Sequence, residues 1–397
     1  MEQTKIFFIA IIFITALPLF GHASAIPGAT GNLPEDATLS VPTSTISPDG
    51  PLSVPTSVIS PDGPLSAPTS VISPDGPLSV PTSTISPDGP LSAPTDSTSR
   101  ADSSRVFEEV SPFDVMPEGP SSRLSTGTLR ESVEIMCDPI FAGRGTGTDG
   151  ARYASEWIRD MFEDAGLMPF EENWYHEFKL GSGEKGRNVV GYLPGKSGKW
   201  ILVGAYYDGL GMIGGKVYPG ADSNASGVAA LIAVANAVRR DCRDGLIFVA
   251  LDARSRDYAG ARHMLSELRA SGHSVRMMIS LDILGSTLAP VSQRNPRSLM
   301  ALGGKPWASS LRKCAAIGQL DLYFDYYKSD NFTNLFYNKI GDQTVFMKAG
   351  IPSIVFTSGI TLNTNKVADT PETLDYESLR ARVLCISRWL SLTASAR

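Results

Sequence analysis

Apolar residues recur at helical spacing over 148–166. Tyr153, Trp157, Ile158, Met161, Phe162 and Ala165 share one face, and Gly166 stops the run. The pattern predicts an amphipathic helix with that face buried. Residues 188–193 and 200–206 are short, nearly continuous apolar runs, as expected of strands covered on both faces. Residues 226–239 are apolar almost all round and predict a buried helix. Further strands are predicted at 245–251, 277–284 and 353–356, and helices at 257–270 and 376–392. Strands alternating with helices give the fold class: α/β, a single domain over 121–397 with a central, twisted, mixed but largely parallel sheet flanked by helices. In such sheets functional side chains gather beyond the carboxyl ends of the strands.

Ahead of this domain the pattern is lost. Residues 26–105 hold 15 of the 28 prolines and no Phe, Trp or Tyr. That composition cannot bury enough apolar surface to offset chain entropy, so 26–120 is expected to be a disordered Pro/Ser/Thr-rich linker. Within it a 13-residue unit, SPDGPLSVPTSVI from Ser47, recurs with single changes from Ser60 and Ser73 and starts again at Ser86, filling 47–95. A solenoid needs units that bury a continuous core. These offer only Leu, Val and Ile, which favours a semi-extended spacer. Residues 1–25 have the form of a secretory signal: Lys5, an apolar run over 6–20, and a small-residue site at Ala23-Ser24-Ala25. The run is short for a membrane span and is broken by Pro18, so cleavage after Ala25 is favoured over an uncleaved anchor. The protein is then expected to be exported (periplasmic, extracellular or cell-surface) with no membrane span after cleavage.

Charge divides the chain in the same way. The net charge is −6, and residues 26–105, with eight acids and two bases, account for all of it. The folded part is formally neutral and has no basic run, which removes the electrostatic case for nucleic acid. Cys137, Cys242, Cys314 and Cys385 are widely spaced and match no zinc pattern. In an exported chain they are compatible with disulfides or with buried thiols.

Six strings lie at or near the expected strand ends: GAYYDG from Gly204, YPGADSNASGVAAL from Tyr218, FVALDARSRDYAGAR from Phe248, ISLDILG from Ile279, GDQTVFMKAGIPSI from Gly341 and NKVADTPETLDY from Asn365. In order and spacing they resemble the bacterial zinc aminopeptidase family, which also includes glutaminyl cyclases and the transferrin-receptor ectodomain. The resemblance implies a zinc-exopeptidase-like fold. It also implies two zinc ions held by two His, a bridging Asp, a Glu and an Asp, with a second Glu as general base for the metal-bound water.

Carried over residue by residue, most of that set is missing. The first His position is Tyr206, although Asp208, which would orient that His, is present. Asp222 is kept, but the bridging position is Ser223. The base position is Arg254 and the ligand beside it Ser255. Asp282 alone keeps a ligand type, and the last His position is Asn365, followed by the expected Asp369. The string usually written SDH reads Gly341-Asp342-Gln343. Neutral Tyr, Ser and Asn cannot supply the charge two divalent ions require, and a permanent cation replaces the base. A single-zinc cyclase site fails as well, at Ser223, Ser255 and Asn365.

The resemblance therefore implies a pseudopeptidase with no cofactor expected and a binding or scaffold role. The alternative is an active metallo-exopeptidase holding zinc through other residues. The residues left to line the cleft are Tyr206, Asp208, Asp222, Ser223, Arg254, Ser255, Asp282 and Asn365; it would either take a carboxylate-bearing peptide or small molecule, or a protein ligand, without metal, or stand closed. Asp222, Asp369 and the Gly-rich loop 209–220 have a simpler reading, as keepers of backbone geometry. His176, His263 and His273 fall at no ligand position and read as packing or surface residues. Ser223 and Ser255 have no Gly-x-Ser-x-Gly elbow and no activating His. An ionised Asp282 without metal needs a counter-charge, and Arg254 is the expected one, with Tyr206 or Asn365 as further hydrogen-bond partners.

Overall fold

The computed structural model describes residues 124–181 and 183–396. The signal segment and the repeat linker lie outside the described residues. The chain enters through α1 (Thr126–Met136), capped by the Ser125 hydroxyl, and a 3-10 segment, Pro139–Arg144. Helix α2 (Asp149–Asp164) starts at its Thr148 cap. Then come β1 (Met168–Pro169), β2 (Tyr175–Lys179), β3 (Lys185–Leu193), β4 (Lys199–Tyr206) and a small hairpin of β5 (Met212–Ile213) and β6 (Lys216–Val217). Helix α3 (Ser226–Ala237), β7 (Gly245–Leu251), α4 (Ala259–Ala270) and β8 (Ser274–Leu281) form the α/β centre. The last part holds β9 (Ser298–Leu302), α5 (Ala308–Ile317), β10 (Asp321–Tyr323), α6 (Asp330–Asn338), α7 (Gln343–Lys348), β11 (Ser353–Thr357) and α8 (Tyr376–Ser395).

The main sheet runs β1-β3-β7-β4-β8-β11-β9-β10, with β2 also on β3. Its four central strands, β7-β4-β8-β11, are parallel. Strand β3 joins β7 antiparallel and β9 joins β11 antiparallel. The central strands are buried along almost their whole length, and α3 and α8 cover one face with a continuous apolar core. Helix α4 and Phe346 of α7 pack on the other face. Among the described residues no helix is long and apolar enough to cross a membrane.

The expected elements are present, with shifts that have local causes. Helix α4 starts two residues late because Asp257 and Tyr258 hold left-handed φ values of 56° and 55°. In α2 the buried face is Ala151, Ala154, Ser155, Ile158 and Phe162, while Tyr153 is exposed and lies under the Arg152 guanidinium. Strand β8 ends at Leu281, three residues short of the predicted end. Beyond it, Asp282 N–H still bonds to the Phe356 carbonyl of β11, and from Ile283 N–H onward the amides find their partners in side chains.

Those side chains come from alternate residues at the entry to α3. The Asn224 amide donates to the carbonyls of Tyr206 and Leu281, both at 3.1 Å, and its oxygen accepts from Ile283 N–H at 2.9 Å. Ser226 Oγ accepts from Leu284 N–H at 3.0 Å, and Asp222 Oδ1 from Gly285 N–H at 2.7 Å. From the opposite side Arg382 of α8 donates to the Leu284 carbonyl at 2.7 Å. One peptide group, between Leu284 and Gly285, is thus held at both ends. Gly227 has to lack a side chain, since a Cβ there would lie 2.3 Å from the Asn224 amide oxygen. Asn224→Ala removes three bonds and leaves buried backbone groups of β4 and β8 unpaired. A loss of about 3 kcal/mol is expected, read as a lower denaturant midpoint at unchanged slope.

Candidate functional site

The parallel strands β7, β4, β8 and β11 end on one side of the sheet, and the residues singled out above lie there. Strand β4 ends in Tyr206, β7 leads through Asp252 to Arg254, and β8 leads into Asp282. Asp342, just before α7, reaches the same place. The Arg254 guanidinium is the centre of the cluster. Its Nη2 donates to Asp282 Oδ2 at 2.8 Å and its Nη1 to Asp342 Oδ2 at 3.2 Å. The guanidinium carbon lies 4.0 Å from the centre of the Tyr206 ring, a cation–π contact. Tyr206 Oη is 3.2 Å from Ser223 Oγ. The Arg254 side chain is 19% exposed, Asp282 15% and Asp342 1%, so the ion pairs are largely screened from water.

The expected Arg254–Asp282 pair is present, and its further partners differ from the expectation. The second polar partner is Asp342, and Tyr206 offers its ring face rather than its hydroxyl. Asn365 is exposed, in a turn with φ 60°, and among the described residues no polar contact links it to Arg254. Ser255 is exposed because the chain turns outward after Arg254, where Arg256 N–H bonds back to the Ala253 carbonyl. The structure therefore gathers Tyr206, Ser223, Arg254 and Asp282 and leaves Ser255 and Asn365 outside. Sequence reading assigned no role to Asp342, although the retained Asp of the Gly341-Asp342-Gln343 string was the signal for it.

Asp222 and Asp369 hold backbone, in line with their simpler reading, and so does Asp208, expected as the partner of a His at position 206. Asp369 accepts from the N–H groups of Asp222 and Ser223 at 2.8 and 3.1 Å. Asp208 accepts from Arg254 N–H at 3.1 Å and so sets the start of the turn that presents the guanidinium. Thr146 Oγ1 lies between two buried carboxyls, 3.4 Å from Asp208 Oδ2 and 2.9 Å from Asp252 Oδ1. The Gly-rich loop 209–220 is tied down by Arg144, which is fully buried. Arg144 donates to the carbonyls of Tyr207 at 2.9 Å, Pro219 at 2.8 Å and Gly220 at 3.1 Å, and also to Met136. Sequence reading missed Arg144, Thr146 and Asp252, because nothing in their local pattern marks burial.

Burial raises the carboxyls behind the site. Asp208 is pushed up to about 8 by burial and then by the charge of Asp252. Asp222 rises to about 7 through burial and then Asp369, and Asp369 rises to about 6 through burial. The three histidines are elsewhere: His176 and His263 face Glu267 at 2.9 and 3.3 Å, and His273 faces Glu171 at 2.6 Å. Among the described residues no three His, Cys, Asp or Glu side chains are grouped so as to hold a metal ion.

A mixed sheet with a polar cluster beyond its parallel strand ends is the architecture of the zinc exopeptidases. The model of peptidase family M28 matches residues 188–389, more than half of the chain, and the protein belongs to that family. It is 26% identical to the uncharacterized protein YfbL of Escherichia coli K12, over 44% of this chain and 54% of that protein. It is 22% identical to leucine aminopeptidase 1 of Sclerotinia sclerotiorum, over 44% of this chain and 48% of that protein. The chain thus spans about half the length of these curated relatives. A Zn-dependent exopeptidase from Parabacteroides distasonis shares the fold with a TM-score of 0.52 at 16% identity, over 69% of this chain and 99% of that one.

The raised carboxyls fix the sign of a pH effect. A carboxyl whose folded pKa lies above its unfolded value near 4 contributes stability in acid, which is lost as pH rises through the folded value. With folded values of about 6, 7 and 8 for Asp369, Asp222 and Asp208, the loss is spread over pH 4 to 8. The melting temperature is expected to fall by at least about 5 °C between pH 5 and pH 8.5. Asp208→Asn should flatten the upper part of that fall. A melting temperature that rises over this range would contradict the assignment.

Proposed function

We propose that this protein is an exported, catalytically degenerate member of peptidase family M28, a pseudopeptidase that serves as a binding or scaffold protein with its repeat linker as a spacer. The observation that carries the reading is the position of Arg254, with its guanidinium bonded to both Asp282 and Asp342 over the Tyr206 ring. The donor set does not fit the family's two zinc ions. Asp282, the one ligand position of the right type, has an oxygen committed to Arg254, and Ser255 and Asn365 face solvent. A guanidinium holds its proton at any working pH, so Arg254 cannot act as the base. It would also repel a divalent ion placed beside Asp282. A ligand carboxylate entering here would have to displace Asp282 or Asp342 from the guanidinium, which favours the filled, closed form of the site.

The alternative, a metallo-exopeptidase with a non-standard site, is favoured by family membership and by the six retained strings. Elemental analysis after extensive dialysis separates the two. The expectation is far less than one zinc per chain and no release of amino acids from peptides or aminoacyl anilides. Near-stoichiometric zinc with chelator-sensitive aminopeptidase activity would overturn the proposal. Restoring the family residues together (Tyr206→His, Ser223→Asp, Arg254→Glu, Ser255→Glu, Asn365→His) should improve zinc binding before activity, since the supporting groups must fit too.

The ion cluster has its own test. Arg254→Ala leaves two largely buried carboxylates without a counter-charge and should cost about 2–4 kcal/mol, measured by chemical denaturation. The triple change Arg254→Met, Asp282→Asn and Asp342→Asn should cost less than the single one. A single variant as stable as the parent would show that the cluster is not an internal charge balance.

A further inference from the structure

Away from the cleft, helices α5 and α8 pack antiparallel with a register that two contacts define. Towards the start of α5, Trp389 Nε1 donates to Ser310 Oγ at 3.2 Å, and the Trp389 and Trp307 rings meet edge to face with centroids 6.2 Å apart. Just past the end of α5, Gly318 lies against α8, where a Cβ on Gly318 would stand 3.6 Å from the Ala381 Cβ. From Ser310 to Gly318 is two helical turns forward, and from Trp389 to Ala381 two turns back. One turn in from each contact, the register sets Cys314 on α5 opposite Cys385 on α8. Both are 1% exposed. The Cβ separation of a disulfide averages about 3.8 Å, and a Cβ placed on Gly318, one turn along, would stand at a similar distance from the Ala381 Cβ. Burial and then the neighbouring Cys314 hold Cys385 far above the ordinary thiol value, and burial pushes Cys314 up to about 11. Cys137 and Cys242 lie elsewhere, Cys137 3.6 Å from the Pro219 carbonyl and Cys242 3.2 Å from the Arg239 carbonyl.

We propose that Cys314 and Cys385, free thiols in this structure, are a disulfide-forming pair that joins α5 to α8 when the chain folds in the presence of a low-molecular-weight disulfide. In the first step the thiolate of one cysteine attacks a sulfur of the oxidant RSSR, forming a mixed disulfide and releasing RS⁻. In the second, the other thiolate attacks the protein-bound sulfur, closes Cys314–Cys385 and releases a second RS⁻. Two thiols are oxidised, one RSSR is reduced, and the two thiol protons leave on two RSH. The exchange belongs to folding, before α8 seats on α5, because the thiolate is the nucleophile and the buried thiols of the folded protein do not ionise at neutral pH. The closed bond is then shielded from reductant by the same burial. The inference is independent of the reading of the cleft.

The test is a thiol count on the full chain folded with mixed oxidised and reduced glutathione, then unfolded in guanidinium and labelled with a polyethylene-glycol maleimide. Two of the four cysteines are expected to label without reductant and all four after it. Peptide mapping of the unreduced protein should recover one linked pair joining Cys314 to Cys385. Cys314→Ser should raise the labelled count from two to three, through Cys385, whereas Cys137→Ser should lower it to one. Labelling of all four cysteines without reductant, or a linked pair containing Cys137 or Cys242, would overturn the proposal. The count is made in denaturant, so it does not depend on how well a variant folds.

Discussion

Where β8 leaves the sheet, the amides that follow Asp282 pass from strand partners to side chains, and the rest of the site depends on how that need is met. At the end of β8 the amide groups of 283–285 are taken by Asn224, Ser226 and Asp222, and the Leu284 carbonyl by Arg382. Asp369 in turn fixes the segment carrying Asp222 and Ser223 by its backbone N–H groups. Side chains at 2% exposure or less cannot trade these bonds for water, so changing any one of them leaves a buried group unpaired. This gives a physical account of which parts of the family's strings persist here. Asp208, Asp222, Asn224, Ser226 and Asp369 all bond to main chain. Among the positions that depart from the family pattern, 206, 223, 254, 255 and 365 are those the resemblance assigns to the metal site rather than to backbone, whereas Gln343, a further departure, donates to the carbonyls of Phe336, Tyr337 and Ile340.

Given that scaffold, Arg254 solves an electrostatic problem. The strand ends bring Asp282 and Asp342 close together in a poorly hydrated place, and two carboxylates there repel unless a cation lies between them. A guanidinium suits the position because it offers separate N–H donors on a planar fork and a flat face for the Tyr206 ring. Lysine could supply the charge but not the fork or the stacking. The positive charge comes from the chain itself, on a turn aligned by the bond from Arg254 N–H to Asp208.

The acids behind the cluster are met by different partners from those in it. Asp208 and Asp252 have no side-chain cation bonded to them and share the Thr146 hydroxyl, which has one proton to donate. Burial is the largest influence on both, and with the charge of Asp252 it pushes Asp208 up to about 8. Asp282 and Asp342, a few ångströms away, have Arg254. Burial raises Asp342 as well, but there the bonded Arg254 guanidinium opposes it.

Apolar periodicity was enough to determine the α/β class, most of the central strands and the helices that cover them, because continuous burial leaves its mark on consecutive residues. Strand β7 and the start of α3 fell where their apolar runs begin. Short edge elements such as β1 and β10 left no such mark, since two or three residues without a buried side chain carry no period. The altered chemistry of the strand ends was also legible, from residue types at fixed places in six strings. The sequence could not say which of those residues meet. That Asp342 and not Asn365 completes the Arg254 cluster depends on the path of two loops. That Arg144 is buried depends on carbonyls from three separate segments converging on it. Tertiary structure alone decides such matters, because a long polar side chain is buried or exposed according to partners far away along the chain rather than by its neighbours in sequence.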